Sequence, residues 1–221
     1  MFHVSSAGKA TNVTENGGYV TADEGSVVEF VPNEFTRLTL ESGIWATVHS
    51  GTTATDTNIG YEGGLTVFYG GSARNTVVAE TGLLEVYGGG KAEGVSVASG
   101  GMFGMAVGGS ATGIVAADGA FLALVIAPDT CAKGTYGGKA FEATDTLSDY
   151  TVHAGGWLEV YDGGSADDIT VDCYGNLAIY GTGKATQVRE NGGYVYVDGS
   201  ADVKFVANTF SGVYVVWTAI A

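Results

Sequence analysis

Proline and cysteine are almost missing from this chain of 221 residues, at two each, and basic side chains are scarce, with nine Lys and Arg against 24 Asp and Glu. Cys131 and Cys173 stand far apart with no CxxC pairing, which excludes a disulfide scaffold and a thiolate metal site and leaves two free, partly buried thiols as the expectation. The formal charge of −15 repels phosphate backbones and anionic lipid surfaces, so neither nucleic acid nor an electrostatically bound membrane is expected as a partner. No apolar run approaches the roughly 20 residues that span a bilayer, and the opening MFHVSSAGKA lacks the basic start and apolar middle of a signal peptide. A secreted protein with this start is expected to be a mature or trimmed form. The closing VYVVWTAIA is apolar with no polar cap, as expected where a chain was cut or continues into a further domain or partner.

What is abundant is glycine, 37 of 221 residues or about 17%, without the every-third spacing of collagen, together with 45% hydrophobic residues. That apolar fraction fills a core and argues against disorder despite the charge. Self-similarity explains the glycine. Ala54, Ala73, Ala92 and Ala111 recur at every nineteenth position, as do Gly51, Gly70, Gly89 and Gly108. Leu65, Leu84, Phe103 and Leu122 form a third column, Val67, Val86, Met105 and Leu124 a fourth, and Ile59, Val78, Val97 and Ala116 a fifth. After a phase break the same interval links Leu158 to Leu177, Val160 to Ile179, Ala166 to Ala185 and Ile169 to Val188. The step from Ala111 to Ala166 falls two positions short of three ideal repeats, so irregular rungs are expected around Pro128 and Cys131.

Within a repeat, Leu84 and Val86 alternate with Glu85, which is strand periodicity with one face buried. A unit of this length, with two or three short strands, cannot bury its own apolar face, so it stacks on its neighbours. The expected fold is all-β, a right-handed parallel β-helix, a single domain over residues 1–221 with irregular rungs near 26–50 and 128–155. About ten to eleven rungs at strand spacing make a rod on the order of 50 Å. The glycine columns mark sharp turns that need positive φ. A longer echo is present as well: GKATNVTENGGYV at 8–20 returns as GKATQVRENGGYV at 183–195, 11 of 13 positions identical, and FVPNEF at 30–35 returns as FVANTF at 205–210.

The pattern GGxAxxxxVxxxGxLxVxxGG, over residues 51–127 and 155–198, resembles the AIDA-type repeats in the passenger domains of self-associating autotransporter adhesins of Gram-negative bacteria. The resemblance implies a β-helix on the bacterial cell surface, or secreted, that mediates adhesion, aggregation or biofilm formation. Its partners would be a second copy of itself, a host glycan or a surface protein. A membrane barrel would carry it outward, and some members carry sugars on Ser and Thr. The two cysteines, the lengthened rungs and the many aromatics depart from the pattern.

Parallel β-helices also host enzymes acting on acidic polysaccharides, which use two or three carboxylates on one face as acid and base. Asp162, Asp167, Asp168 and Asp172, with Asp145, Asp149 and His153 one rung earlier, are the candidate catalytic set of a polysaccharide lyase or glycoside hydrolase, or else a solvated acidic turn. DGGSADD lacks the alternating acidic loop of a calcium site, and His3, His49 and His153 have no neighbours at ligand spacing. No metal, cofactor or catalytic role is therefore expected. Tyr69, Tyr87, Tyr161 and Tyr180 follow the Val/Ile columns at the strand ends and form the candidate binding ladder, or else simple cross-rung packing.

Overall fold

The computed structural model describes residues 1–209; the apolar tail VYVVWTAIA lies outside them. The described chain is all-β, a solenoid whose strands pair in parallel from rung to rung. One eight-stranded sheet runs from Trp45–Val48 to Tyr194–Val197. A second climbs from Asn33–Thr36 to Lys139–Ala143, and a four-stranded sheet then carries Thr146–Val152, Ser165–Asp172, Lys184–Asn191 and Asp202–Phe205.

The repeating columns are physical ladders. Leu65 pairs with Leu84, Leu84 with Phe103 and Phe103 with Leu122, and Ala54, Ala73, Ala92 and Ala111 do the same on the second sheet. All eight side chains are buried. Each rung places a short strand such as Leu83–Val86, a glycine turn, and a longer strand such as Lys91–Val97. Gly51, Gly70, Gly89 and Gly108 sit at φ of 83°, 72°, 75° and 78°, the left-handed region that only glycine enters without steric cost. Their amides bond upward in series, Gly51 N–H to Gly70 O, Gly70 N–H to Gly89 O and Gly89 N–H to Gly108 O, at 3.0, 3.0 and 2.8 Å. The turn is thereby stitched from rung to rung.

A second bend kinks the long strand. Asp56, Asn75, Gly94 and Gly113, which keep the same repeat interval, hold φ of 55°, 53°, 68° and 67°, and Asp149, Asp168 and Gln187 take 52°, 54° and 52° further along. Asp and Asn tolerate this conformation better than most side chains, which accounts for several of the acidic residues on this flank.

The phase break is an antiparallel excursion. Cys131–Tyr136 pairs in parallel with Ser110–Ala116, then turns back through Gly137 and Gly138 onto Lys139–Ala143. On the eight-stranded sheet Phe121–Ile126 is followed directly by Trp157–Val160, with Leu158 opposite Leu124. The shortfall of two positions thus becomes a slide in register: Leu158 continues the column of Val67 and Val86, not that of Leu65 and Leu84.

Candidate functional site

The outward side chains at the end of the short strands decide what the rod shows to a partner. Phe30, His49, Phe68 and Tyr87 stack in one ladder, with ring centroids 4.5, 4.7 and 5.2 Å apart. Past the hairpin, Tyr161, Tyr180 and Tyr196 form a second ladder at 5.0 and 5.7 Å, and Tyr136 stacks on His153 at 4.6 Å. Such spacings are those of attractive offset ring pairs and match the rise between strands.

Of the four candidate tyrosines, Tyr87, Tyr161 and Tyr180 are therefore ladder members, Tyr161 and Tyr180 as direct neighbours. Tyr69 is not. It stands one residue beyond the column, 76% exposed, with its ring over Gly89, where a Cβ would fall 2.3 Å from it. The ladder position expected of Tyr69 belongs to Phe68. Desolvation, then the charge of Glu159 and the hydrogen bond donated to its carboxylate, push the Tyr161 phenol up to about 12.

Beside the first ladder the exterior of the eight-stranded sheet is apolar. Met102, Phe121 and Trp157 wall an open groove of about 440 Å³ floored by Gly104 and Ala123. The one carboxylate in it, Glu85, is pushed upward in pKa by burial. Phe121 lies over Gly155, where any side chain would collide with its ring at 2.3 Å.

The acidic set is differently disposed. Four of its carboxylates are held by the rung above: Asp162 accepts from the Thr182 amide at 2.5 Å and its hydroxyl at 3.0 Å, and Asp172 accepts from Asn191 Nδ2 at 2.8 Å and approaches His153 Nδ1 at 3.3 Å. Asp167 accepts from Thr186 Oγ1 and from Gln187 Nε2, and Asp168 pairs with Arg189. Hydrogen bonds from Thr182 lower the Asp162 pKa, and those from Thr186 and Gln187 lower that of Asp167. A glycosidase acid needs the opposite shift. Asp145 accepts from Thr144 Oγ1, and Asp149 pairs with Lys139. Among the described residues no group of three His, Cys, Asp or Glu gathers in a way that could hold a metal ion, and both cysteines are free.

One cluster escapes a reading of the sequence. Glu15 is 2% exposed, and its carboxylate accepts from the His49 amide at 2.7 Å and from Thr47 Oγ1 at 3.0 Å, and lies 2.8 Å from His49 Nδ1. Trp45–Val48 is the first strand of the eight-stranded sheet, so the N–H groups of Thr47 and His49 face away from it. Gly18 O takes the first and Glu15 the second. A side chain here does the work of a missing strand. No signal could have marked Glu15, but Phe30, His49, Phe68 and Tyr87 share the repeat interval. Following ring-bearing residues in general, beyond tyrosine alone, would have found that ladder.

No family model and no curated protein matches the chain. Among solved structures it is similar to that of a TibA fragment, hyper-glycosylated by TibC catalysis, at 27% identity over 91% of this chain and 86% of that one, with a TM-score of 0.42. Among the described residues no helix is long and apolar enough to cross a membrane.

Proposed function

We propose that this chain is a non-enzymatic adhesion module of the bacterial cell surface that presents the sides of its rod to a second copy, a host glycan or a surface protein. The observation that carries the reading is the row of outward rings stacked at rung spacing, flanked by the groove of Met102, Phe121 and Trp157. Rigid aromatic faces offer large contact area at low ordering cost, and exposed apolar patches of this kind mark interaction surfaces. The groove is apolar apart from Glu85, and Asp162, Asp167, Asp168 and Asp172 are engaged by side chains or amides of the next rung, which favours binding over turnover. The test is capture of the whole chain on mucin, on a glycan panel and on itself. Truncating a ring at the centre of such a contact removes about 2 kcal/mol, so Tyr161→Ala or Trp157→Ala is expected to weaken capture roughly thirtyfold. Capture on no surface, or capture indifferent to these rings, refutes the reading.

A further inference from the structure

The groove on the eight-stranded sheet arises from the slide in register. Along the outward column that forms its floor, Thr66 is followed by Glu85, Gly104, Ala123, Trp157 and Asn176, one on each strand. In the sequence Trp157 opens its strand as Leu83, Met102 and Phe121 open theirs, but the slide carries it to the neighbouring column and onto Ala123. Phe121 remains in the original column, opposite Met102. Two rings that an unbroken repeat would have stacked therefore meet at a corner. Gly104 and Ala123 leave two levels with nothing larger than a methyl, so the rows of Glu85 and Trp157 stand about 14 Å apart across an open floor.

Glu85 closes the other end. It is half-buried, and burial alone pushes up its pKa, with no hydrogen bond or ion pair to offset the cost. Its charge in turn raises the neighbouring Tyr87 phenol. A second hollow of about 190 Å³, lined by Glu85, Tyr87 and Ala106, adjoins the groove over Gly104 and Ala123. Neither lining holds a Lys, Arg or His, and the chain carries a formal charge of −15. A carboxylate set against apolar walls is relieved by a ligand that brings a positive charge. The surrounding field concentrates such ligands near the rod.

We infer that this groove is the seat of an arginine side chain on an exposed segment of a partner protein. Its guanidinium pairs with Glu85, and its aliphatic stem and an adjacent apolar side chain lie over Gly104 and Ala123 against Phe121 and Trp157. A guanidinium is planar and weakly hydrated, takes a carboxylate through two parallel bonds and stacks on aromatic faces, whereas the lysine ammonium is compact and strongly hydrated. A pyranose would also stack on Trp157, but each of its buried hydroxyls needs a polar partner, and the lining offers a single carboxylate. A choline headgroup brings a phosphate that the acidic surface repels. The inference rests on the binding reading of the groove and narrows the partner to a basic protein segment.

The experiment follows amide and indole resonances of the full chain during titration with a blocked pentapeptide that carries arginine between two leucines. A twin peptide carries citrulline instead, which keeps the shape and loses the charge. The arginine peptide is expected to shift the Gly104 and Ala123 amides and the Trp157 indole N–H at millimolar concentration, and to bind about tenfold more tightly than the twin. Glu85→Gln is expected to keep the wild-type melting transition, to bring the arginine peptide down to the affinity of the twin, and to leave the twin unchanged. Trp157→Ala should weaken both. The inference is overturned by an absence of shifts at millimolar peptide, by equal binding of the two peptides to wild type, or by arginine binding indifferent to Glu85→Gln. Tighter filling of the groove by a neutral oligosaccharide or by phosphatidylcholine vesicles overturns it as well. Failure of the broader reading looks different: surface capture that needs Trp157 but not Glu85 removes only the arginine partner, whereas capture on no surface removes the adhesion module even where the peptide result upholds the site.

Discussion

Replacing Glu15 by alanine isolates the role of the carboxylate that closes the eight-stranded sheet. In the native chain it takes the His49 amide at 2.7 Å and the Thr47 hydroxyl at 3.0 Å, while Thr47 Oγ1 in turn accepts from the Val20 amide at 3.0 Å. Leaving a buried donor without its partner costs about 1–3 kcal/mol. Two donors lose theirs here, and entry of water from the groove beside Met1, Phe2 and Val13 offsets part of the loss. The net penalty is about 2–4 kcal/mol. In a solenoid each rung contacts only its neighbours, so the damage should stay local instead of lowering the stability of the whole rod.

Amide hydrogen exchange reads this directly. Since every tenfold change in an equilibrium corresponds to about 1.4 kcal/mol, exchange at Val20, Thr47 and His49 is expected to accelerate about 30-fold or more in Glu15→Ala. Amides in Leu83–Val86 and Trp157–Val160 should keep their wild-type rates. Glu15→Gln retains one acceptor oxygen and should fall between the two. Unchanged protection at His49, or a uniform loss along the whole solenoid, would contradict the view of Glu15 as a stand-in strand.

Four further outcomes are expected. Ala92 is 1% exposed between Ala73 and Ala111, so Ala92→Leu should overpack the narrow flank and lower stability by about 1–3 kcal/mol in a denaturant titration. Thr76 is fully buried and its hydroxyl has no partner, while Val95 occupies the same column; Thr76→Val should raise stability by about 1 kcal/mol, measured as a shifted denaturation midpoint. The Asp162 and Asp167 pKa values are depressed in the folded state, so their contribution is present above the ordinary value of 3.8 and disappears as the pH falls through the lower folded values. A melting series through that acid window should fall less steeply in Asp162→Asn. The Tyr161 phenol is raised from 10.0 to about 12, so the stability it lends is full below 10 and is lost as the pH climbs through 12. Absorbance titration of Tyr161→Phe should lack one late-ionising phenol.

Legibility in the sequence followed the range of the interaction. Leu65, Leu84, Phe103 and Leu122 are visible as a ladder because one steric requirement recurs at every level and writes itself into the chain at a fixed interval. The kink column of Asp56, Asn75, Gly94 and Gly113 has the same period but mixes residue types that share only tolerance of positive φ, so residue identity alone does not reveal it. The Cys131–Ala143 hairpin occurs once and leaves no period. Glu15 depends on Thr47 and His49, 32 and 34 residues away, on a strand whose unpaired edge exists only after the sheet is built. The acidic set was legible as residues, and the structure adds the bonds they make. Asp162, Asp167, Asp168 and Asp172 bond to Thr182, Thr186, Gln187, Arg189 and Asn191 one rung later, partners that spacing alone does not single out.

The same regularity constrains where function can reside. Among the described residues apolar side chains stack through the interior, and because inward and outward side chains alternate along each strand, the outer columns can vary without disturbing the core. Ring substitutions are tolerated there when the next rung offers space, and Gly64, Gly89 and Gly155 provide it beneath Trp45, Tyr69 and Phe121, whose rings a Cβ would strike at 2.4, 2.3 and 2.3 Å. Glycine at these positions is therefore a device for seating an exposed aromatic flat against the sheet. Gly155→Ala should displace Phe121 and alter the groove it walls while the ladder of Leu158 and Leu177 stays intact, at the added stability cost of a side chain held at a φ of 75°. A loss of binding in Gly155→Ala that Phe121→Ala reproduces would tie the recognition surface to the seating of that ring, whereas unaltered binding in both would place recognition elsewhere on the rod.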